Sequence, residues 1–248
     1  MKLIRCASNG KVFFGVLDEA GEIVREIKGG KEISDEELKF SELKILPPCQ
    51  PSKIVAVGLN YRDHAEEMKL PIPQEPILFI KPSTSIIAHD EEIIYPSISK
   101  RVDYEAELGV VIKQRAKNIS EGEAKSYILG YTCFNDVTAR DLQKRDGQYT
   151  RSKGFDTFAP LGPCIETSIE PGQLIIEAYV NGERKQSGNT NDMVFSVFHL
   201  VSFISQVMTL LPGDVIATGT PAGVGSLNIG DIVEVRIEGM KTLRNLVA

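Results

Sequence analysis

The run Asp103-Tyr104-Glu105-Ala106-Glu107-Leu108-Gly109-Val110-Val111-Ile112 places three carboxylates on alternate positions and then passes into an apolar stretch. Side chains alternate between faces along a strand, so the run reads as a strand whose acidic residues share one face. At an effective dielectric of ~20, two carboxylates ~4 Å apart repel by ~4 kcal/mol, a large part of a total stability of ~5 to 15 kcal/mol. Something positive should therefore sit among them. An all-oxygen site without cysteine or histidine suits a hard cation, Mg²⁺ or Mn²⁺ ahead of Ca²⁺. The plain alternative is a solvated strand face.

Downstream, Ser120-x-x-Glu123 is a capping-box pattern that predicts a helix running to Ile128. The strand Gly130–Asp136 (GYTCFND) follows, with Asp136 at its end before a helix expected over Thr138 to Arg145. A carboxylate at that place either joins Glu105 and Glu107 on a cation or caps the helix. Residues 148–163 read as loop and short strand, and QLIIEAYVNGERKQ as a hairpin turning on Asn181-Gly182. In DIVEVRIEG, Val233, Val235 and Ile237 alternate with Glu234, Arg236 and Glu238, as in a strand with one wet face.

Upstream lies the strand KIVAVG (53–58), then a short helix from Arg62 to about Lys69 stopped by Pro71, then the strand PILFIK (76–81). His64 and Glu67 are three residues apart and share a helical face. A carboxylate beside an imidazole orients it and raises its basicity, which makes a general base. A surface ion pair is the alternative. His89 and His199 read as turn and helix-surface residues. Residues 1–50 alternate small strands with turns, and the proline cluster Pro47-Pro48-Cys49-Gln50-Pro51 marks a connector. The division is a small N-terminal β subdomain, 1–50, and a main domain, 51–248.

The composition excludes several classes of function. With 248 residues, 42% hydrophobic and 25% charged, the chain has the mix of a globular domain with a large core. A net charge of −6 argues against nucleic acid as a partner. The four cysteines, Cys6, Cys49, Cys133 and Cys164, are scattered, which suggests neither zinc nor disulfides and predicts a cytoplasmic protein. Arg5 and Asn9 interrupt any signal sequence at the N-terminus. The uncharged stretch Met193 to Leu211 is long enough to cross a bilayer. Ser196, His199, Ser202, Ser205, Gln206 and Thr209 nonetheless draw a polar stripe along it, so an amphipathic helix is expected and no membrane span. The loop GTPAGVG matches neither a dinucleotide nor a P-loop pattern.

Taken in order, VGLNYRDHAEEM, ILFIKPST, DYEAELGVVI, GYTCFNDVTARDLQ, SKGFDTFAPLGP and PGDVIATGTPAGVG resemble the fumarylacetoacetate hydrolase family over about residues 50–230. The resemblance implies an α+β, β-rich fold with a mixed β-roll core, and a homodimer. It also implies a divalent cation that chelates the 2-oxo or enol-carboxylate end of a small acid. By the same resemblance Glu105, Glu107 and Asp136 are the metal ligands, Lys153 is the active-site lysine, and Gln143, Thr157 and Thr220 lie at the substrate or its water. His64 and Glu67 match the catalytic dyad of the acylpyruvase-like branch, on a segment that behaves as a lid. The implied activity is hydrolysis of a carbon–carbon bond in acylpyruvate-type 2-oxo acids. The same site also serves isomerases and decarboxylases of hydroxy-dienedioate or oxaloacetate type, and a binding protein without catalysis is the remaining class. Arg145, Gln148, Tyr149 and Arg151 are candidates to meet a distal carboxylate.

Overall fold

The strand Ala106–Ile112 is buried at every position, which is possible because it has neighbours on both edges and structure on both faces. In the computed structural model, which describes residues 1–248, it pairs antiparallel with Ile128–Asn135 on one side and with Val215–Ala217 on the other. Val215–Ala217 runs parallel to Ile54–Gly58, and Ile77–Lys81 closes that edge. On the far side Ile128–Asn135 pairs with Ala159–Glu166, another strand buried throughout. The expected α+β, β-rich architecture is the one observed. A second sheet of five strands, including the hairpin Ile175–Val180 and Glu183–Asn189, packs Ile176, Val233, Val235 and Ile237 into the principal core. That hairpin turns on Asn181 (φ 53°) and Gly182 (φ 80°), the left-handed pair a two-residue turn requires.

The acidic run is not one continuous strand. Val102–Tyr104 belongs to a separate three-stranded sheet with Thr138–Ala139 and Gly225–Leu227, and the chain crosses into the main sheet at Glu105. The expected helix over Thr138 to Arg145 accordingly begins at Arg140, because Thr138 and Ala139 pair with Asp103 and Val102. Ala139 is the N-cap of that helix, so Asp136 is not.

The capping box of Ser120 and Glu123 forms, but it opens a 3₁₀ segment, Glu121–Tyr127, rather than an α-helix. The amphipathic helix is shorter than its pattern, Val197–Val207, and its polar stripe is only partly wet. Ser202 and Ser205 are buried, donating to the Ile119 and Ser202 carbonyls at 2.8 and 2.7 Å. No helix is long and apolar enough to cross a membrane.

Residues 1–50 build four of their strands around a small apolar cluster of Ile4, Cys6, Phe13, Leu17, Val24 and Ile45. Lys2–Ser8 pairs antiparallel with Ala159–Glu166, so this segment extends the main sheet at its edge, and Cys164 joins its cluster.

Candidate active site

The ends of neighbouring strands bring the carboxylates together. Glu105 precedes Ala106–Ile112, Glu107 lies one residue inside it, and Asp136 follows Ile128–Asn135, whose Asn135 is paired with Ala106. Their oxygens lie within 4.8 Å of one another and all three residues are buried. The solvated strand face is thereby excluded.

The positive charge that such a cluster demands is present. Lys153 Nζ donates to Glu105 Oε2 at 2.7 Å and to Asp136 Oδ2 at 2.5 Å. Lys81, fully buried at the end of its strand, donates to Asp136 Oδ1 and to the Val137 carbonyl. Arg140 donates to Glu105 Oε1 and, through Nε, to Asp103 Oδ2 at 2.8 Å. Asp103 thus turns to Arg140 and Arg101 and stays out of the triad. Burial pushes the Glu105 carboxyl up, but Lys153 and Arg140 overcome it and hold the group well below the usual carboxylate range. Burial likewise opposes the Lys153 charge, and Asp136 with Glu105 restores it to above the ordinary lysine value. For Lys81 burial prevails over Asp136 and the shift is downward.

Glu107 has no cation of its own. It accepts the Gly219 amide at 2.9 Å, and burial together with Asp136 and Glu105 drives its carboxyl well above the usual range. That is the signature of a carboxylate placed beside others with one positive charge too few. A divalent cation at Glu105, Glu107 and Asp136 would supply it, and the all-oxygen donor set fits a hard ion.

The triad opens on a cavity of about 210 Å³ whose apolar wall includes Val57, Leu59, Met68, Leu70 and Phe79. His64 lines it, with Nδ1 3.0 Å from Glu67 Oε2. His64 is only 7% exposed, which excludes a surface ion pair. The other oxygen of Glu67 accepts the Gly223 amide at 3.1 Å, and Asp63 accepts that of Ala222 at 3.2 Å, so the helix Arg62–Met68 is docked on the 219–225 loop. Gln143 and Thr220 also line the cavity. Gln143 accepts from Arg140 at 2.7 Å, and Thr220 donates to the Ala106 carbonyl at 2.8 Å while accepting from Gln186 at 2.9 Å.

Thr157 is elsewhere. Its left-handed backbone (φ 70°) aims the hydroxyl at the Ile94 amide, 2.9 Å away, and it is not in the cavity wall. Of the candidates for a distal carboxylate only Tyr149 lines the cavity; Arg145 and Arg151 both pair with Asp146 outside it.

The sequence profile of the fumarylacetoacetate (FAA) hydrolase C-terminal family matches residues 53–248. The chain belongs to this family. Residues 1–48 match a second profile, Rv2993c-like, N-terminal. The 5-carboxymethyl-2-hydroxymuconate delta-isomerase of Mycobacterium smegmatis superposes with a TM-score of 0.92 at 42% identity, over 100% of this chain and 98% of that one. The 2,4-didehydro-3-deoxy-L-rhamnonate hydrolase of a Sphingomonas species is 40% identical over 100% of this chain and 96% of its own. The mitochondrial oxaloacetate tautomerase Fahd2a of Rattus norvegicus is 44% identical over 82% of this chain and 68% of its own. Family relatives with this fold are therefore enzymes of hydrolase, isomerase and tautomerase type, and the buried triad is this family member's candidate metal site.

Proposed function

We propose that this chain is a divalent-cation-dependent hydrolase that cleaves a carbon–carbon bond in acylpyruvate-type 2-oxo acids, with Mg²⁺ or Mn²⁺ as the ion. The observation that carries the reading is the His64–Glu67 pair opening on the same cavity as Glu105, Glu107 and Asp136. A cation held by those three carboxylates supplies electrophilic stabilisation of negative charge on the substrate's oxygens. The protein's own groups do the rest. Arg140 and Lys153 keep positive charge at the buried end of the cavity, and Gln143 and Thr220 offer polar contacts beside it. Glu67 fixes the His64 ring through Nδ1, leaving Nε2 to take a proton from water as the water adds to the distal carbonyl. The bond between that carbonyl carbon and the adjacent methylene then breaks. The electron pair leaves with the pyruvate portion as its enolate, and the proton on His64 returns to the methylene carbon.

The second reading is an isomerase, tautomerase or decarboxylase of hydroxy-dienedioate or oxaloacetate type. The isomerase of Mycobacterium smegmatis and the tautomerase of rat favour it by their similarity to this chain, and it uses His64 to move a proton between substrate atoms with no attack by water. Assays of acylpyruvates, oxaloacetate and hydroxy-dienedioates with Mg²⁺ and with Mn²⁺ separate the two. Carboxylate release from acylpyruvates supports hydrolysis; double-bond migration or CO₂ release alone supports the second reading.

A further inference from the structure

Three cations line the cavity: Arg140, Lys144 and Lys153. Two are already matched, Arg140 by Asp103 and Glu105, and Lys153 by Glu105 and Asp136. Lys144 makes no ion pair, whereas its neighbour Arg145 turns to Asp146. The helix Arg140–Asp146 explains the difference. Arg140, Gln143 and Lys144 lie three and four residues apart on the face that lines the cavity, and Arg145 lies off it. Along this face Arg140 is buried and held by Asp103 and Glu105, whereas Lys144 is exposed and carries a charge that no carboxylate pairs.

We propose that Lys144 is the specificity-determining residue of this cavity, binding a carboxylate at the end of the substrate remote from Glu105, Glu107 and Asp136, so that dianionic 2-oxo acids are selected over monoanionic ones. The inference rests on the 2-oxo acid reading and adds to it the residue that chooses among such acids.

The test is calorimetric titration of the Mg²⁺-loaded protein with 2-oxoglutarate and with 2-oxopentanoate, which share a chain length and differ in the terminal carboxylate. Low ionic strength is used because an exposed ion pair is screened by salt. The wild type should bind the dicarboxylate about tenfold more tightly, the scale of one partly exposed charge-assisted contact. Lys144→Met should abolish that preference while holding 2-oxopentanoate affinity within about twofold, and Lys144→Glu should reverse it, since a neutral ligand end makes no call on the ammonium. Thermal midpoints equal to wild type exclude misfolding at this exposed site. A preference that survives in Lys144→Met, or is missing from a wild type that binds both acids, overturns the role of Lys144 and leaves the 2-oxo acid reading standing. A wild type that binds neither acid overturns both.

Discussion

Gly219 donates its amide to Glu107 Oε2 at 2.9 Å, so backbone alone fixes the one triad carboxylate that no side-chain cation reaches. Gly219 has φ +96°, and a Cβ there would lie 2.8 Å from Asn60 Cβ. Only glycine holds that conformation without strain. Gly219→Ala should therefore move the amide and weaken Mn²⁺ binding by about 10- to 100-fold, the usual effect of losing a partner that orients a metal ligand. Calorimetric Mn²⁺ titration decides it, and an unchanged affinity would show that Glu107 needs no such support.

His64 and Glu67 carry the next prediction. General acid–base assistance contributes ~10² to 10⁴ in rate, so His64→Ala should lower kcat by that factor while metal affinity stays near wild type. Glu67→Gln should fall between, because the amide still reaches His64 but orients it less well. Loss of acylpyruvate hydrolysis with retained oxaloacetate decarboxylation in His64→Ala would assign the dyad to water. If neither activity changes, the dyad has no part in the chemistry.

How far the site was legible depended on whether a residue's role is local. Glu105 and Glu107 share a two-residue period, and His64 and Glu67 a helical one, so both pairs could be read from spacing. The need for positive charge among the carboxylates also followed from Coulomb's law, but not its source. Lys81 and Arg140 reach the triad only through strand pairing and a helix turned inward, and the faint signals were a lysine closing an apolar strand and an arginine in TARDLQ. The GTPAGVG loop matches no nucleotide-binding pattern, and apart from the Thr220 side chain its contribution is the Gly219 backbone amide, which no side-chain pattern reports. The break at Glu105 was hidden for a similar reason. Val102–Tyr104 and Ala106–Ile112 are each strand-like, and only their partners assign them to different sheets.

Adding the cation should stabilise the protein. At a concentration about 100 times its Kd a ligand contributes about 2.7 kcal/mol to the folded state. For a chain of this size that raises Tm by about 5 to 10 °C. Burial and then the charges of Asp136 and Glu105 lift the Glu107 carboxyl, and a bound ion would offset both, so Glu107→Gln should lose most of the shift. Scanning calorimetry with Mg²⁺, and again after chelation, checks this. A Tm indifferent to Mg²⁺ and Mn²⁺ would argue against a metal at the triad.

A homodimer is predicted from the family resemblance. Ile77–Lys81 is an edge strand with Ile77 and Ile80 exposed, an apolar edge suited to burial against a second copy. Light scattering should give close to twice the 27.3 kDa chain mass at micromolar concentration. A monomer mass across that range refutes the prediction.

Asp214 provides a test that is independent of the chemistry. It accepts from the Ser52 amide and hydroxyl at 2.9 and 2.7 Å, from Lys53 Nζ at 2.5 Å and from the Leu211 amide at 2.8 Å, pinning the start of Ile54–Gly58 to the turn before Val215–Ala217. Burial raises its carboxyl, but the Lys53 bond, the Leu211 amide and Ser52 prevail and hold it below the ordinary aspartate value. A folded-state pKa below the unfolded one means that the ionised form contributes stability above the unfolded value, ~3.9, and that this is lost as pH falls through the lower folded value. Asp214→Asn should accordingly be less stable than wild type at pH 7, by about 1.5 to 3 kcal/mol, the scale of a hydrogen bond to a charged group, because the partly exposed Lys53 can turn to water. Its urea midpoint should also fall less steeply than that of wild type from pH 5 down to pH 3. Parallel pH profiles for the two proteins would show that Asp214 does not govern this acid sensitivity.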